Sequence, residues 1–247
     1  PRTGMLKTTD SLDTIGFFTS HPGDLRTIFD ILRVRGPNYP FSYKAFNDPL
    51  RKNKPADRPW RVGFVKTHTW RFAPEYAQIA MLSYVERLSN RGDVQISEVE
   101  LPAEMLNTHA IHETIYNKSL SYYFKAEAKS AEHVSDIMNQ MISTGAGISV
   151  EAYLKALSDQ VELCQKMDEF MKDYDVLVCL STAGEAPDRG VLENPDPALM
   201  WTLTYLPSIS APFFTSPNNL PFGMQIVSRR YNDYLLLNFL DLLTTEP

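Results

Sequence analysis

RVGFVKTHTWRFAPEYAQIAMLSYVERLSNRGDVQISEV, residues 61–99, decides the fold class. Arg61–Val65 is a short apolar run of the kind a buried strand requires. Pro74 suits a helix start, and from there to about Asn90 the residues Tyr76, Ile79, Ala80, Leu82, Val85 and Leu88 form an apolar stripe. Gly92 stops the helix. Val94–Val99 then sets Val94, Ile96 and Val99 against Gln95, Ser97 and Glu98, the alternation of a strand. A strand, a helix and a strand in that order imply a right-handed crossover and a parallel pair.

The same reading extends in both directions. Upstream, Thr3–Phe18 mixes turn and apolar residues, which predicts irregular structure with short strands. Ser20 or His21 caps a helix that Pro22 and Asp24 favour in its first turn; Leu25, Ile28, Phe29, Ile31 and Leu32 follow at helical spacing, and Gly36-Pro37 ends it. Residues 37–60 hold Pro37, Pro40, Pro49, Pro55 and Pro59, which excludes a central strand or a long helix and predicts a surface excursion. Downstream, helices dominate from about Ala103 to Asp173, with breaks expected at Ser130 and at Thr144-Gly145-Ala146-Gly147, and Ser149-Val150-Glu151 starts the last of them. Tyr174–Leu180 is a buried strand. Ser208–Phe213 and Gly223–Val227 are two more, with Pro217-Asn218-Asn219 as the turn between them, and a helix over Tyr231–Leu243 closes the chain. Strands interleaved with helices give a layered α/β architecture.

Composition narrows the function classes. The chain has 247 residues, 43% hydrophobic and 22% charged, with a net charge of -6 and no lysine- or arginine-rich run. A surface that tracks nucleic-acid phosphates is therefore not expected. The longest apolar run, Leu235–Leu243, is interrupted by Asn238 and Asp241 and is too short to span a bilayer. Cys164 and Cys179 form no CxxC pair, which fits a reducing, cytoplasmic setting better than a disulfide framework. The opening Pro1-Arg2-Thr3-Gly4 is no initiation context and reads as the middle of a longer chain.

Three local features could carry chemistry. His109, His112 and Glu113 share one helical face and could converge on a metal, although their order differs from known zinc-hydrolase motifs and no further ligand follows; the alternative is a polar face beside a pocket or interface. Cys179 ends an apolar strand without a histidine nearby in sequence, which favours core packing over a thiol nucleophile, while Ser181 and Thr182 stand where that strand empties into a loop and could line a pocket. The glycines of Thr144–Gly147 follow a helix rather than a strand, so a helix–helix connection accounts for them better than a phosphate cradle. None of these is a complete catalytic constellation.

Several stretches, taken in order, resemble one family. Thr3-Gly4-Met5-Leu6 with Ser11-Leu12-Asp13-Thr14-Ile15-Gly16, then Asp24-Leu25 with Ile28–Leu32, then Tyr174–Val178, Leu206–Pro212, Leu220–Val227, and finally Asp233 with Leu235-Leu236 are similar in sequence, order and spacing to segments of the amidase-signature hydrolases. The resemblance covers essentially the whole chain. It implies a single domain over residues 1–247 that forms the C-terminal portion of a large mixed β-sheet flanked by helices, and hydrolysis of a small-molecule amide without a cofactor. In that family a lysine deprotonates a serine on a cis peptide, this serine relays the proton, and a second serine attacks the carbonyl while backbone N–H groups hold the oxyanion. Those groups sit in a G-x-S-S-G-G-S stretch and in a lysine before it, and neither segment occurs here, so the resemblance gives no residue of this chain a catalytic role.

By the same resemblance Ser181, Thr182, Ala183, Trp201 and Tyr205 approach the acyl or leaving group, whereas Asp13 and Gln225 have structural tasks near the site. Tyr205 stands where the family commonly has glycine, Ser181-Thr182 and Phe17 where it has proline. Three readings result: the C-terminal part of an amidase whose partner is the missing N-terminal half or an oligomer, a non-catalytic amidase-like binding module, and a metal hydrolase using His109, His112 and Glu113.

Overall fold

The structure, a computed structural model, describes residues 4–34, 39–55, 57–194 and 196–244. Within them one sheet contains β1 (Trp60–Phe64), β2 (Val94–Glu98), β3 (Val176–Leu180), β4 (Ser208–Thr215) and β5 (Pro221–Ser228) in the spatial order β2-β1-β3-β5-β4. The α-helices are α1 (Pro22–Leu32), α2 (Pro40–Asn47), α3 (Glu75–Ser89), α4 (Thr108–Tyr123), α5 (Asp136–Gly147), α6 (Val150–Phe170), α7 (Ala198–Leu203) and α8 (Asp233–Thr244). β1 runs parallel to β2 and to β3, with Val62 opposite Ile96 on one side and Val176 on the other. The parallel pair read from residues 61–99 is thus present. β5 is antiparallel to both β3 and β4, so the sheet is mixed.

Side-chain alternation builds two cores. Trp60, Val62 and Phe64 of β1, Val176, Val178 and Leu180 of β3, and Met224 and Ile226 of β5 face α3 and α8. Leu177 and Cys179 of β3 and Val227 of β5 face the other way, where Ile115, Leu163, Met167, Trp201 and Leu203 of α4, α6 and α7 cover them. Both faces of β3 are buried, which is why VLVCL is an unbroken apolar run. Each fully buried leucine or valine contributes about 2 kcal/mol, and a one-residue slip would reverse the faces, so the register is strongly specified.

Several helix ends follow the sequence. His21 caps α1 through Nδ1, which accepts from Gly23 N at 3.2 Å, and Ser149 caps α6 by accepting from Ala152 N at 3.1 Å. Two expectations are corrected. The buried stripe of α3 is Ala77, Met81 and Leu88, while Ile79 and Leu82 are exposed. The helix is apolar on more than one side, so spacing alone does not pick the core face. Residues 4–19 contain no strand, because local hydrogen bonds among Thr8, Thr9, Leu12 and Asp13 satisfy that segment. The break expected at Thr144–Gly147 falls at the end of that stretch, at Ile148-Ser149: α5 runs through Gly147 and α6 begins at Val150. Gly145 there lies so close to α4 that an added Cβ would fall 1.8 Å from Asn117 O. The glycine serves close helix packing rather than a turn. The Pro1 opening and the Gly36-Pro37 stop lie outside the described residues.

The proline-rich stretch is strapped to the sheet by polar bonds. Arg229 Nη1 donates to Asp48 at 2.8 Å, Lys52 N to Asn232 Oδ1 at 2.7 Å, and Asn238 Nδ2 to Asn53 O at 2.8 Å. Asp175, its side chain 0% exposed, accepts two bonds from Arg58 (2.7 and 2.9 Å) and one from Arg61 N at 2.9 Å, just before β3 begins.

Candidate functional site

The carboxyl ends of β1, β2 and β3 share one edge of the sheet, where open α/β sheets place ligands. His68 lies just beyond β1, and the ring of His109 on α4 packs edge-on against it at a centroid distance of 4.2 Å. Beside this contact, between α4, α7 and the Leu12-Asp13 segment, lies a cleft of about 610 Å³.

One face of α4 supplies most of its polar surface. His109, His112, Glu113, Tyr116 and Asn117 recur at helical spacing and all line the cleft. Leu12, Met141 and Leu199 add apolar wall, and Thr202 completes the α7 side. Asp13 also lines it, but its carboxylate is engaged: it accepts from Thr8 N at 3.0 Å, from Thr9 N at 3.1 Å and from both threonine hydroxyls. Two of these four donors are backbone N–H groups. Two buried atoms of the α4 face, His109 Nε2 and Asn117 Oδ1, have no hydrogen-bond partner.

Burial sets the protonation of the imidazoles. Desolvation, with a smaller contribution from neighbouring His109, lowers the pKa of His112 to about 4. Desolvation lowers that of His109 as well. Both rings are neutral at pH 7. A depressed histidine pKa contributes stability that is fully present above the ordinary value of about 6.5 and declines as pH falls toward the folded value. The expected result is that the His112 ring titrates by NMR near pH 4; a midpoint near 6.5 would show that the ring is solvated.

The five residues expected in the substrate pocket do not line this cleft. Ser181 Oγ donates to Gly223 O at 2.9 Å and Thr182 Oγ1 to Gly184 O at 2.8 Å, so both hydroxyls serve the loop after β3, with Ala183 beside them. Trp201 is 1% exposed, and its indole N–H donates to Gln225 Oε1 at 2.7 Å within the core. Gln225 Nε2 in turn donates to Ser210 Oγ at 3.3 Å, so this glutamine binds sheet to helix. Tyr205 ends α7 in the left-handed conformation, φ 58°, while Leu206 N returns to Trp201 O at 3.0 Å. Glycine is the usual residue at such a helix end, which accounts for its place in the family pattern. Cys179 is buried, and desolvation raises its thiol pKa far above the ordinary value, leaving a core residue rather than a nucleophile. Among the described residues no three His, Cys, Asp or Glu side chains are grouped so as to hold a metal ion; His109, His112 and Glu113 line the cleft.

The sequence reading found His109, His112, Glu113 and Asp13 but missed Tyr116, Asn117, Met141, Leu199 and Thr202. Continuing the i+3/i+4 progression from His109 along α4 would have reached Tyr116 and Asn117.

The model of the amidase family matches residues 1–237. The chain belongs to the amidase family. One subunit of the glutamyl-tRNA(Gln) amidotransferase of Koribacter versatilis (strain Ellin345) is 23% identical over 273 residues, covering 96% of this chain and 56% of the relative. The solved structure of the corresponding Thermotoga maritima protein superposes with a TM-score of 0.73 at 20% identity, over 96% of this chain and 53% of that one. 6-Aminohexanoate cyclic dimer hydrolase superposes with a TM-score of 0.65 at 14% identity, over 87% of this chain and 51% of that one. These likenesses establish the amidase fold. The chain spans about half the length of the curated relatives it matches. Among the described residues no helix is long and apolar enough to cross a membrane.

Proposed function

We propose that this chain is the C-terminal portion of an amidase that hydrolyses carboxamide C–N bonds through a serine acyl-enzyme, with the nucleophile encoded ahead of Pro1. The observation that carries this reading is a family match over residues 1–237 in a chain that spans 56% of its relative and lacks the G-x-S-S-G-G-S stretch. In the proposed reaction the serine Oγ bonds to the amide carbon, and its proton passes through the cis serine and lysine. The C–N bond then breaks as the departing nitrogen takes a proton. Water cleaves the resulting ester, releasing the acid and restoring the serine. This chain contributes the sheet, the α4 wall and the loop after β3.

The remainder of the fold, or an oligomer, is the proposed partner. Support comes from β4, a terminal strand of the sheet, and from Leu6 and Phe18, large apolar side chains exposed near the start of the described residues. A reducing, cytoplasmic setting belongs to the same reading, since Cys164 and Cys179 are buried and unpaired.

The test assays this chain and the longer protein in parallel with simple amides. Expected are turnover by the longer protein, its loss when the attacking serine becomes alanine, and none by residues 1–247 alone. Hydrolysis by this chain alone would overturn the placement of the nucleophile. A longer protein lacking the lysine or either serine would leave a binding module.

A further inference from the structure

Residues 39–58 run against the charge of the rest of the chain. Lys44, Arg51, Lys52, Lys54 and Arg58 stand against Asp48 and Asp57, a net charge of +3 in a chain whose total is -6. We propose that α2 and the loop behind it dock the protein on an anionic phospholipid surface. This goes beyond the amidase reading and does not rest on it.

Tyr39, the N-cap of α2, Tyr43 and Phe46 recur at i, i+4 and i+7 and so share one helical face. That face is not packed into the core: Tyr43 is 56% exposed and Phe46 42%, and Leu50 in the loop behind is 43% exposed. Arg33 and Arg51 lie 5.8 and 5.1 Å from the centroid of the Phe46 ring, so guanidinium groups flank the aromatic surface. Lys44 and Lys54 are exposed, and no carboxylate pairs with either among the described residues. Tyrosine rings settle at headgroup level, and lysine and arginine meet the negative charge of anionic lipids. Protein interfaces are depleted of lysine, whereas helices that lie on a membrane combine it with aromatic residues, which favours lipid over a protein partner. Among the described residues no helix can cross a bilayer, so the contact is made from one side.

The fold holds this surface in place and away from the cleft. Asp48 is tied to Arg229 and Lys52 N to Asn232, both just after β5, and Arg58 is tied to Asp175, just before β3. Val176 pairs with Ser228, so these anchors gather at the amino-terminal ends of β1 and β3. The α4 cleft lies beyond the carboxyl ends of the same strands. A protein resting on lipid through α2 therefore keeps the cleft open to solvent. Because the strap already fixes the backbone of the segment, docking orders little further chain.

The experiment sediments this chain and the longer protein, in parallel, with vesicles of phosphatidylcholine alone and of phosphatidylcholine and phosphatidylserine in a two-to-one ratio. Expected is binding to the mixed vesicles about tenfold tighter than to phosphatidylcholine, with release as salt is raised. Lys44→Glu combined with Lys54→Glu should abolish that preference, and Tyr43→Ser should weaken binding to the mixed vesicles. All three positions are exposed, so the thermal midpoint is expected to stay unchanged. Lys44→Arg combined with Lys54→Arg keeps the charge and should keep the binding. Equal binding to the two vesicles, or a preference that survives the charge reversal, would overturn the proposal. Binding of poly-glutamate as tight as that of the mixed vesicles would assign the face to an acidic protein instead. Binding by this chain but not by the longer protein would show that the rest of the fold covers α2, and would equally overturn it. The readout is sedimentation and not turnover, so the amidase reading stands or falls separately in the hydrolysis assay.

Discussion

Gly145→Ala is expected to lower the stability of the chain by about 3 kcal/mol or more, toward the upper end of overpacking costs. The added methyl would stand 1.8 Å from Asn117 O and 2.3 Å from the carbonyl carbon, and both are backbone atoms of α4 that no rotamer change can move aside. Alanine's better helix propensity returns only about 1 kcal/mol, so the clash decides the sign. For a chain of this size the midpoint of thermal unfolding should fall by roughly 6–12 °C. Gly147→Ala is the control, because a Cβ there meets nothing within 4 Å; its midpoint should stay within a few degrees. Equal effects at the two positions would show that backbone freedom, and not the α4–α5 approach, explains the glycine.

Asp175→Asn is expected to cost about 3 kcal/mol at pH 7, the magnitude seen when one partner of a buried ion pair is removed. Burial by itself would raise the pKa of this carboxyl, but hydrogen bonds from Arg58 and from Arg61 N–H, aided by Lys52, outweigh it and hold the pKa below the ordinary value. The sign follows from linkage. A carboxyl depressed in the folded state contributes stability that is present above about pH 3.9 and lost as pH falls through the lower folded value. Urea unfolding at pH 7 and in the acid range should therefore show the wild-type advantage over Asp175→Asn shrinking as the carboxylate takes up its proton. An advantage independent of pH would mean that packing, and not charge, holds the strap.

Much of this fold is legible from periodicity. Residues 61–99 give β1, α3 and β2 with boundaries within about two residues, because strand and helix periods differ and Pro74 and Gly92 punctuate them. β3 is legible because burial on both faces makes it an uninterrupted apolar run. What periodicity cannot supply is tertiary choice. Ile79 and Leu82 are as apolar as Ala77 and Met81, and only the sheet determines which pair is buried. Gly145 looks like a turn signal until its neighbour on α4 is known. The cleft was half legible: His109 and His112 stand out as a motif. Asn117 and Thr202 are ordinary polar residues whose significance comes from what packs beside them. Trp201 was named through family resemblance alone; its bond to Gln225 depends on tertiary packing that periodicity does not show.

The strap has a consequence for how the chain acquires its structure. Arg58 meets Asp175 across 117 positions, Lys52 meets Asn232 across 180, and Arg26 meets Asp241 across 215. Such closures demand their entropy before any contact returns it, and high contact order slows folding. During synthesis Lys52 therefore waits for its anchor until Asn232 has left the ribosome, and Arg26 until α8 has, so the docking of these residues is timed by the emergence of α8.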